Sequence, residues 1–269
     1  MKELLKKSLE YAAKPILGKI HRYKDSCRGE TSYLIGGGIS LKWFDLKAFS
    51  AYRTIPCQYI PLHNEFASLD VEHAILPEPF FFYPYMKGLP YTRFWRNRMY
   101  REYKKAIAEN PAVNFVLNLS NFFTVRDDNV TFFFRGYHDS RLPDDFITNR
   151  ILTLGGSLQQ SIIFAIYLGI EKVYLVGFDY THKPSRSLHW FEKGKGIIKE
   201  KPEYLKDFLQ IAKEYIDITT ITLDGSGENL QSVTYTEHTG LQPAFRENYE
   251  LLSSRHLEVL SEWPGYTIY

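Results

Sequence analysis

Apolar residues in this chain cluster in short runs, separated by polar stretches that carry Gly or Pro. Ser32-Tyr-Leu-Ile35, Pro56 to Leu62, His73 to Leu76, Val113 to Leu119, Lys172 to Phe178 and Ile216 to Leu223 each read as a strand. Lys172 to Phe178, β-branched and aromatic with no Pro, reads as a central strand. Helical spacing lies between the strands. Ser157 to Leu168 is apolar around most of its circumference, as a buried helix must be, and Gly169 is placed to end it. Arg93 to Asn110 reads as a basic helix, and Pro202 to Tyr215 as a helix with Pro at its start. Val125 to Arg135 reads as a hairpin or loop around Asp127-Asp128-Asn129. Phe80-Phe-Phe-Tyr-Pro-Tyr85 is too irregular to assign, and the tail to Tyr269 reads as one helix and loops. Strands alternating with helices predict an α/β fold: a Rossmann-like, mostly parallel sheet flanked by helices.

Two segments stand outside this alternation. Residues 181–201 are polar, basic and Gly-containing without periodicity, and a stretch of that length in a compact domain predicts a lid. Residues 2–22 predict a basic amphipathic helix interrupted at Pro15. Leu4, Leu5, Leu9, Ala12, Ile16, Leu17 and Ile20 share one broad face, and Lys2, Lys6, Lys7, Lys14, Lys19 and Arg22 crowd the rest. Such a helix lies on an anionic membrane surface or packs on the domain with its basic face solvated, and the pattern fits both equally.

The net charge of +2 is too small for a general nucleic-acid binder. The two cysteines, Cys27 and Cys57, predict neither a disulfide framework nor a metal cluster. They place the protein in a reducing, cytoplasmic compartment, either free or peripheral on the inner membrane. There is no apolar run of signal-peptide form or of bilayer-spanning length.

Candidate chemistry sits at strand ends, where an open parallel sheet binds ligands. Gly36-Gly37-Gly38-Ile39-Ser40 is a strand-to-helix turn almost without side chains. Three glycines let a backbone approach a phosphate, and Ser40 adds a hydroxyl. No Gly-Lys-Ser/Thr follows, so this is not a Walker A loop. Gly156-Ser157 opens the buried helix, and Asp179-Tyr180 ends the Lys172 strand. Asn64 and Glu78 follow the second and third strands. His189, in the lid segment, and His182, directly after the strand, are the candidate general bases, because imidazole titrates near neutrality.

Three patches resemble the bacterial lipooligosaccharide sialyltransferases of glycosyltransferase family 42. Leu34-Ile-Gly-Gly-Gly-Ile-Ser40-Leu resembles that family's first strand-turn, Gly-Asn-Gly-Pro-Ser-Leu. Gly156-Ser-Leu, with Ala165-Ile-Tyr-Leu-Gly-Ile-Glu-Lys-Val-Tyr-Leu-Val-Gly-Phe-Asp-Tyr180, is similar to its helix and central strand. His63-Asn64-Glu65-Phe66 looks like its Cys-Asn-Gln-Phe. The turn and strand also occur in the related hydroxymethylpterin pyrophosphokinase-like proteins.

The resemblance implies a nucleotide-binding core at 31–180, after a basic N-terminal segment at 1–30. A lid follows at 181–201, and residues 202–269 complete the core. It implies inverting transfer of a CMP-activated, sialic-acid-like sugar to a hydroxyl of a bacterial surface glycan, as in lipopolysaccharide biosynthesis. Under it, Asn64 and Ser157 contact the nucleotide, Glu78 stands where the family has Asn, and Tyr180 donates to the leaving phosphate. Lys183, Arg186 and Lys193 supply charge in place of a second tyrosine. The donor is then a substrate, with no separate cofactor. No metal is expected, since Asp127-Asp128-Asn129 and Asp70-Val-Glu72, the nearest matches to Asp-x-Asp, read as a turn and a solvated loop. An ATP- and magnesium-dependent pyrophosphokinase and a non-catalytic nucleotide-binding module are the alternatives. The oligomeric state stays open.

Overall fold

In a computed structural model, residues 11–78, 82, 90–133, 156–201, 206–263 and 265–269 are described. The apolar runs form a parallel sheet. Five strands lie in the order β12 (Gln231–Thr234), β10 (Asp217–Thr222), β6 (Lys172–Val176), β1 (Thr31–Ile35), β2 (Arg53–Pro56), all parallel. A second parallel trio, β3 (His73–Leu76), β4 (Asn114–Asn118) and β5 (Val130–Phe133), continues it. The seam is a bridge between Cys57 and Ile75, closed by the Gln58 N–H on the Ile75 carbonyl at 3.0 Å. The chain therefore runs outward from β1 through β2 to β5 on one side, and from β6 through β10 to β12 on the other. The direction of winding reverses between β1 and β6, and at such a point the loops at the carboxyl ends diverge and leave a crevice.

Both faces are covered. Along β1, Tyr33 and Ile35 enter one core cluster and Leu34 the other, as period-two geometry dictates. The first cluster takes in Tyr103 and Ile107 of the Pro90–Glu109 helix, and Leu257 and Leu260 of the Ser254–Ser261 helix. The second takes in Leu158, Ile162 and Phe164 of the Ser157–Tyr167 helix, and Leu209 of the Lys206–Ala212 helix. No helix of the described residues is long and apolar enough to cross a membrane.

Several elements differ from the sequence reading. The second strand ends at Pro56, because Gln58 turns the chain at φ 55° and Pro61 opens a 3-10 turn over Ile60–Leu62. Val130–Phe133 is a parallel strand rather than a hairpin arm. Asn129 places it: its side-chain amide donates to the carbonyls of Ile107, Asn110 and Val113 at 3.1–3.2 Å. The segment 181–201 contains β7 (His182–Lys183), paired antiparallel with β11 (Ser226–Gly227), and an antiparallel hairpin of β8 (Ser185–Ser187) with β9 (Ile197–Lys199). The tail adds β12 and three short helices, Tyr235–Thr239, Asn248–Leu251 and Ser254–Ser261. Residues 11–17 are helical through Pro15, and Ala13, Leu17 and Ile20 are buried in the protein's own core. Residues 2–10 and most of the aromatic stretch lie outside the described residues.

Burial also sets an acid limit on stability. His63 is 3% exposed beside Trp190, and desolvation lowers its pKa from 6.5 to about 4. A histidine depressed in the folded state takes its proton first in the unfolded chain. Its contribution is therefore present above pH 6.5 and lost as pH falls towards 4. Unfolding free energy is expected to drop by about 2 kcal/mol between pH 7 and pH 5 from this group. Burial depresses His182 in the same direction. Urea titrations at both pH values check this, and His63→Gln is expected to flatten the difference.

Candidate functional site

The reversal between β1 and β6 holds a cleft of about 540 Å³, within the range of small-molecule sites. Its floor is the turn after β1. There the Gly36 and Gly38 N–H groups donate to the Val176 and Gly177 carbonyls, at 2.8 and 2.7 Å. A Cβ on Gly36 would stand 2.7 Å from the Gly177 oxygen and from the Phe178 ring. On Gly38 it would stand 2.5 Å from the same oxygen and 2.6 Å from an Asp179 oxygen. The close approach that these two glycines permit is thus to the end of β6. Only Gly37 and Gly38 of the three line the cleft.

A side-chain carboxyl already occupies the start of the following 3-10 turn, Ile39–Trp43. Asp179, 1% exposed, accepts from the Ser40 N–H at 2.7 Å, and from the Ser40 hydroxyl. His182 Nδ1 lies 3.8 Å from the same carboxylate, and its Nε2 contacts the Thr220 hydroxyl at 2.9 Å. Ser40 and His182 are buried and belong to the wall behind Asp179 rather than to the lining.

A different helix start is open to the cleft. Gly156, Ser157 and Leu158 line it at the head of an 11-residue helix, whose dipole and first N–H groups favour an anion. Tyr180 stands beside them, and burial holds its phenol well above the ordinary range, so it is a neutral donor. Arg186 and Lys199, from the β8–β9 hairpin, add positive charge to the lining. The Arg186 guanidinium pairs with Asp224 at 2.6 Å and lies over the Trp43 ring, 5.3 Å from its centroid. Lys183 and Lys193 are exposed and outside the lining.

His189 faces this corner. It forms an isolated antiparallel bridge with Gly38, and its Nδ1 lies 3.1 Å from the Gly37 carbonyl oxygen. A carbonyl only accepts, so Nδ1 carries the proton and Nε2 of the neutral ring keeps its lone pair. The ring stacks on Phe191 at 5.0 Å and meets the edge of Tyr266 at 5.7 Å. Glu192, 2% exposed, accepts from the N–H groups of His189 and Thr267, at 2.8 and 3.1 Å, and so ties the chain terminus to the histidine.

The fold thus gathers Gly37, Gly38, Gly156, Ser157, Asp179, Tyr180 and His189 around one space. Gly36, Ser40 and His182 stand directly behind it. Asn64 lies outside the lining: its amide donates to the Glu250 carbonyl at 3.0 Å. Glu78 is outside it too, with its carbonyl taking the Asn121 amide at 3.2 Å. Sequence reasoning did not single out Gln58, Glu192 and Tyr266. Gln58 sits at φ 55°, a conformation that is costly for a side-chain-bearing residue and that clusters at functional sites. Tyr266 lies in the tail, 77 residues after His189 by number, and shares a 2.9 Å hydrogen bond with the Tyr59 hydroxyl.

No family model matches the sequence, and no curated protein matches it. Among solved structures, the chain is similar to the sialyltransferase CstII from Campylobacter jejuni in complex with a substrate analogue, cytidine-5'-monophosphate. The identity is 16% and the TM-score 0.46, covering 87% of this chain and 98% of that one. It is also similar to the sialyltransferase CST-II in complex with trisaccharide acceptor and CMP, at 14% identity and TM-score 0.42, covering 87% and 99% of the two chains.

Proposed function

We propose that the cleft takes a nucleotide-activated sugar, CMP-linked and sialic-acid-like, and transfers the sugar to a glycan hydroxyl with inversion. The observation that carries this reading is His189, held by the Gly37 carbonyl through Nδ1, lining the same cleft as a helix start and a tyrosine suited to an anion. The acceptor oxygen attacks the anomeric carbon as the bond from that carbon to the phosphate oxygen breaks. The acceptor proton passes to His189 Nε2. The departing phosphate gains charge, which the Ser157 helix start, the Tyr180 phenol and the Arg186 guanidinium offset.

The sequence resemblance to family 42 supports the choice of donor. In this reading the glycine turn supplies shape, and the phosphate lies nearer Ser157 than Gly36, since the Gly36, Gly38 and Ser40 amides already have acceptors. A magnesium-dependent reaction would need carboxylates. The two that line the cleft, Asp179 and Glu192, already accept backbone N–H bonds.

Thermal shift with a nucleotide panel tests the reading. CMP at about 100 times its dissociation constant is expected to stabilise the protein by about 2.7 kcal/mol. Ser157→Ala and Arg186→Gln are expected to weaken that shift. A shift with ATP and magnesium, but none with CMP, overturns the donor assignment.

A further inference from the structure

At the opposite ends of the strands, Cys27, Glu72 and His73 meet. One ligand atom of each lies within 4.8 Å of the others. Cys27 sits in the turn before β1, tied by its N–H to the Leu168 carbonyl at 2.8 Å, and Glu72-His73 is the head of β3. Cys27 and His73 are 3% and 2% exposed, whereas the Glu72 side chain is 41% exposed, so the group opens to solvent at its carboxylate. A cavity of about 10 Å³ lies among them, room for one atom-sized occupant. His73 lines it, and its Nε2 is buried and without a hydrogen-bond partner among the described residues; Glu72 Oε1 stops 3.7 Å away. A buried ring nitrogen left unpaired is costly and calls for a partner.

We propose that Cys27, Glu72 and His73 form a binding site for a divalent metal ion of the zinc class. One sulfur, one oxygen and one nitrogen donor are the mixed set that zinc accepts, with water in the fourth position. Tetrahedral zinc sets neighbouring donors about 3.5 Å apart, given bonds of about 2.3 Å to sulfur and about 2.0 Å to nitrogen. The present separations, 3.7 Å between His73 and Glu72 and at most 4.8 Å within the group, exceed that, so the ion would draw Glu72 and Cys27 inward.

The surroundings fit a ligating imidazole. His73 Nδ1 is 3.1 Å from the Asn114 side-chain nitrogen, and the Asn114 side-chain oxygen is 3.0 Å from the Thr131 hydroxyl. A half-turn of that amide lets its oxygen accept from Nδ1–H while the hydroxyl accepts from its nitrogen. Nε2 then carries the lone pair that a metal needs. Arg53 now pairs with Glu72 and lies 4.0 Å from the Cys27 sulfur, with Glu30 at 3.9 Å as a second carboxylate. On metal entry the Cys27 thiol releases its proton to water. Thiolate and carboxylate balance the ion's two charges, and Arg53 passes to Glu30 and the thiolate. The site clamps the turn before β1 to the head of β3. Five-residue strands, about 17 Å long, separate it from the cleft, so it acts on the fold and not on the transfer.

The test uses the full chain stripped with chelator. One equivalent of zinc is expected to bind in competition with a chromophoric chelator and to raise the melting temperature. Cobalt(II) is expected to give a thiolate-to-cobalt charge-transfer band. Cys27→Ser is expected to abolish that band and to cost more than the roughly 10–100-fold in affinity typical of an outer partner. Cys57→Ser is expected to leave the band intact. Absence of the cobalt band in the unmutated protein, or zinc uptake unchanged in Cys27→Ser, overturns the proposal; neither readout requires a variant to be active.

Discussion

Replacing His189 by Ala is expected to lower the turnover of sugar transfer by about 10²–10⁴-fold, the usual contribution of a positioned general base. Nucleotide affinity is expected to stay nearly unchanged. The two effects separate because His189 and the anion-favouring groups come from different segments of the lining. The imidazole is held by the Gly37 carbonyl, stacked on Phe191 and edged by Tyr266. Ser157 and Tyr180 come from the helix start and the end of β6. On the proposed reading, loss of the ring removes the proton acceptor and leaves the groups assigned to the phosphate in place. Steady-state kinetics beside a CMP thermal-shift titration make the comparison. Turnover that survives His189→Ala removes the base assignment, whereas a lost CMP shift would mean that the ring holds the pocket rather than the proton.

Gly38→Ala is expected to destabilise the protein by about 3 kcal/mol or more, at the upper end of overpacking costs. Gly38 has φ −73°, so no strained backbone is involved; the cost is steric. An added methyl would stand 2.5 Å from the Gly177 carbonyl oxygen and 2.6 Å from an Asp179 oxygen. Neither neighbour is a flexible side-chain end. Gly177 sits at φ 69° with Leu41 against it, and the Asp179 carboxylate is held by Ser40. Relief would part β1 from β6 at the reversal point, breaking the Gly38-to-Gly177 hydrogen bond and leaving buried groups unpaired. Gly18→Ala is the control: an added methyl there meets nothing within 4 Å, and little change or a gain of up to about 1 kcal/mol is expected. Urea unfolding of both variants decides it; equal midpoints would mean that the glycine turn is not sterically required.

Both results depend on features the sequence displays unequally. Short runs rich in apolar, β-branched and aromatic residues marked β1, β3, β4, β6 and β10 to within a few residues, because burial between covering helices selects such residues. The Ser157 helix was legible for the same reason. β12 was not: Gln231-Ser-Val-Thr234 is a half-exposed edge strand without an apolar run. β5 was read as a turn region because its parallel pairing is imposed by Asn129, which reaches three carbonyls distant in the chain.

The candidate site divides in the same way. The glycine turn, Ser157, Asp179, Tyr180 and His189 could be picked out by residue type and by position at strand ends, since winding alone brings those ends to one edge. The sequence by itself determined the parallel α/β architecture and the edge that carries the cleft. Tertiary structure decided what each group does there. The Asp179 carboxylate fills the anion position that the glycine turn offered, Asn64 faces the Glu250 carbonyl, and Glu192 and Tyr266 arrive from distant chain to set the histidine. It also placed Cys27 against Glu72 and His73. Local periodicity follows from burial of each short segment, whereas hydrogen-bond partners and ligand sets depend on which distant atoms packing makes neighbours, and no spacing along the chain encodes that.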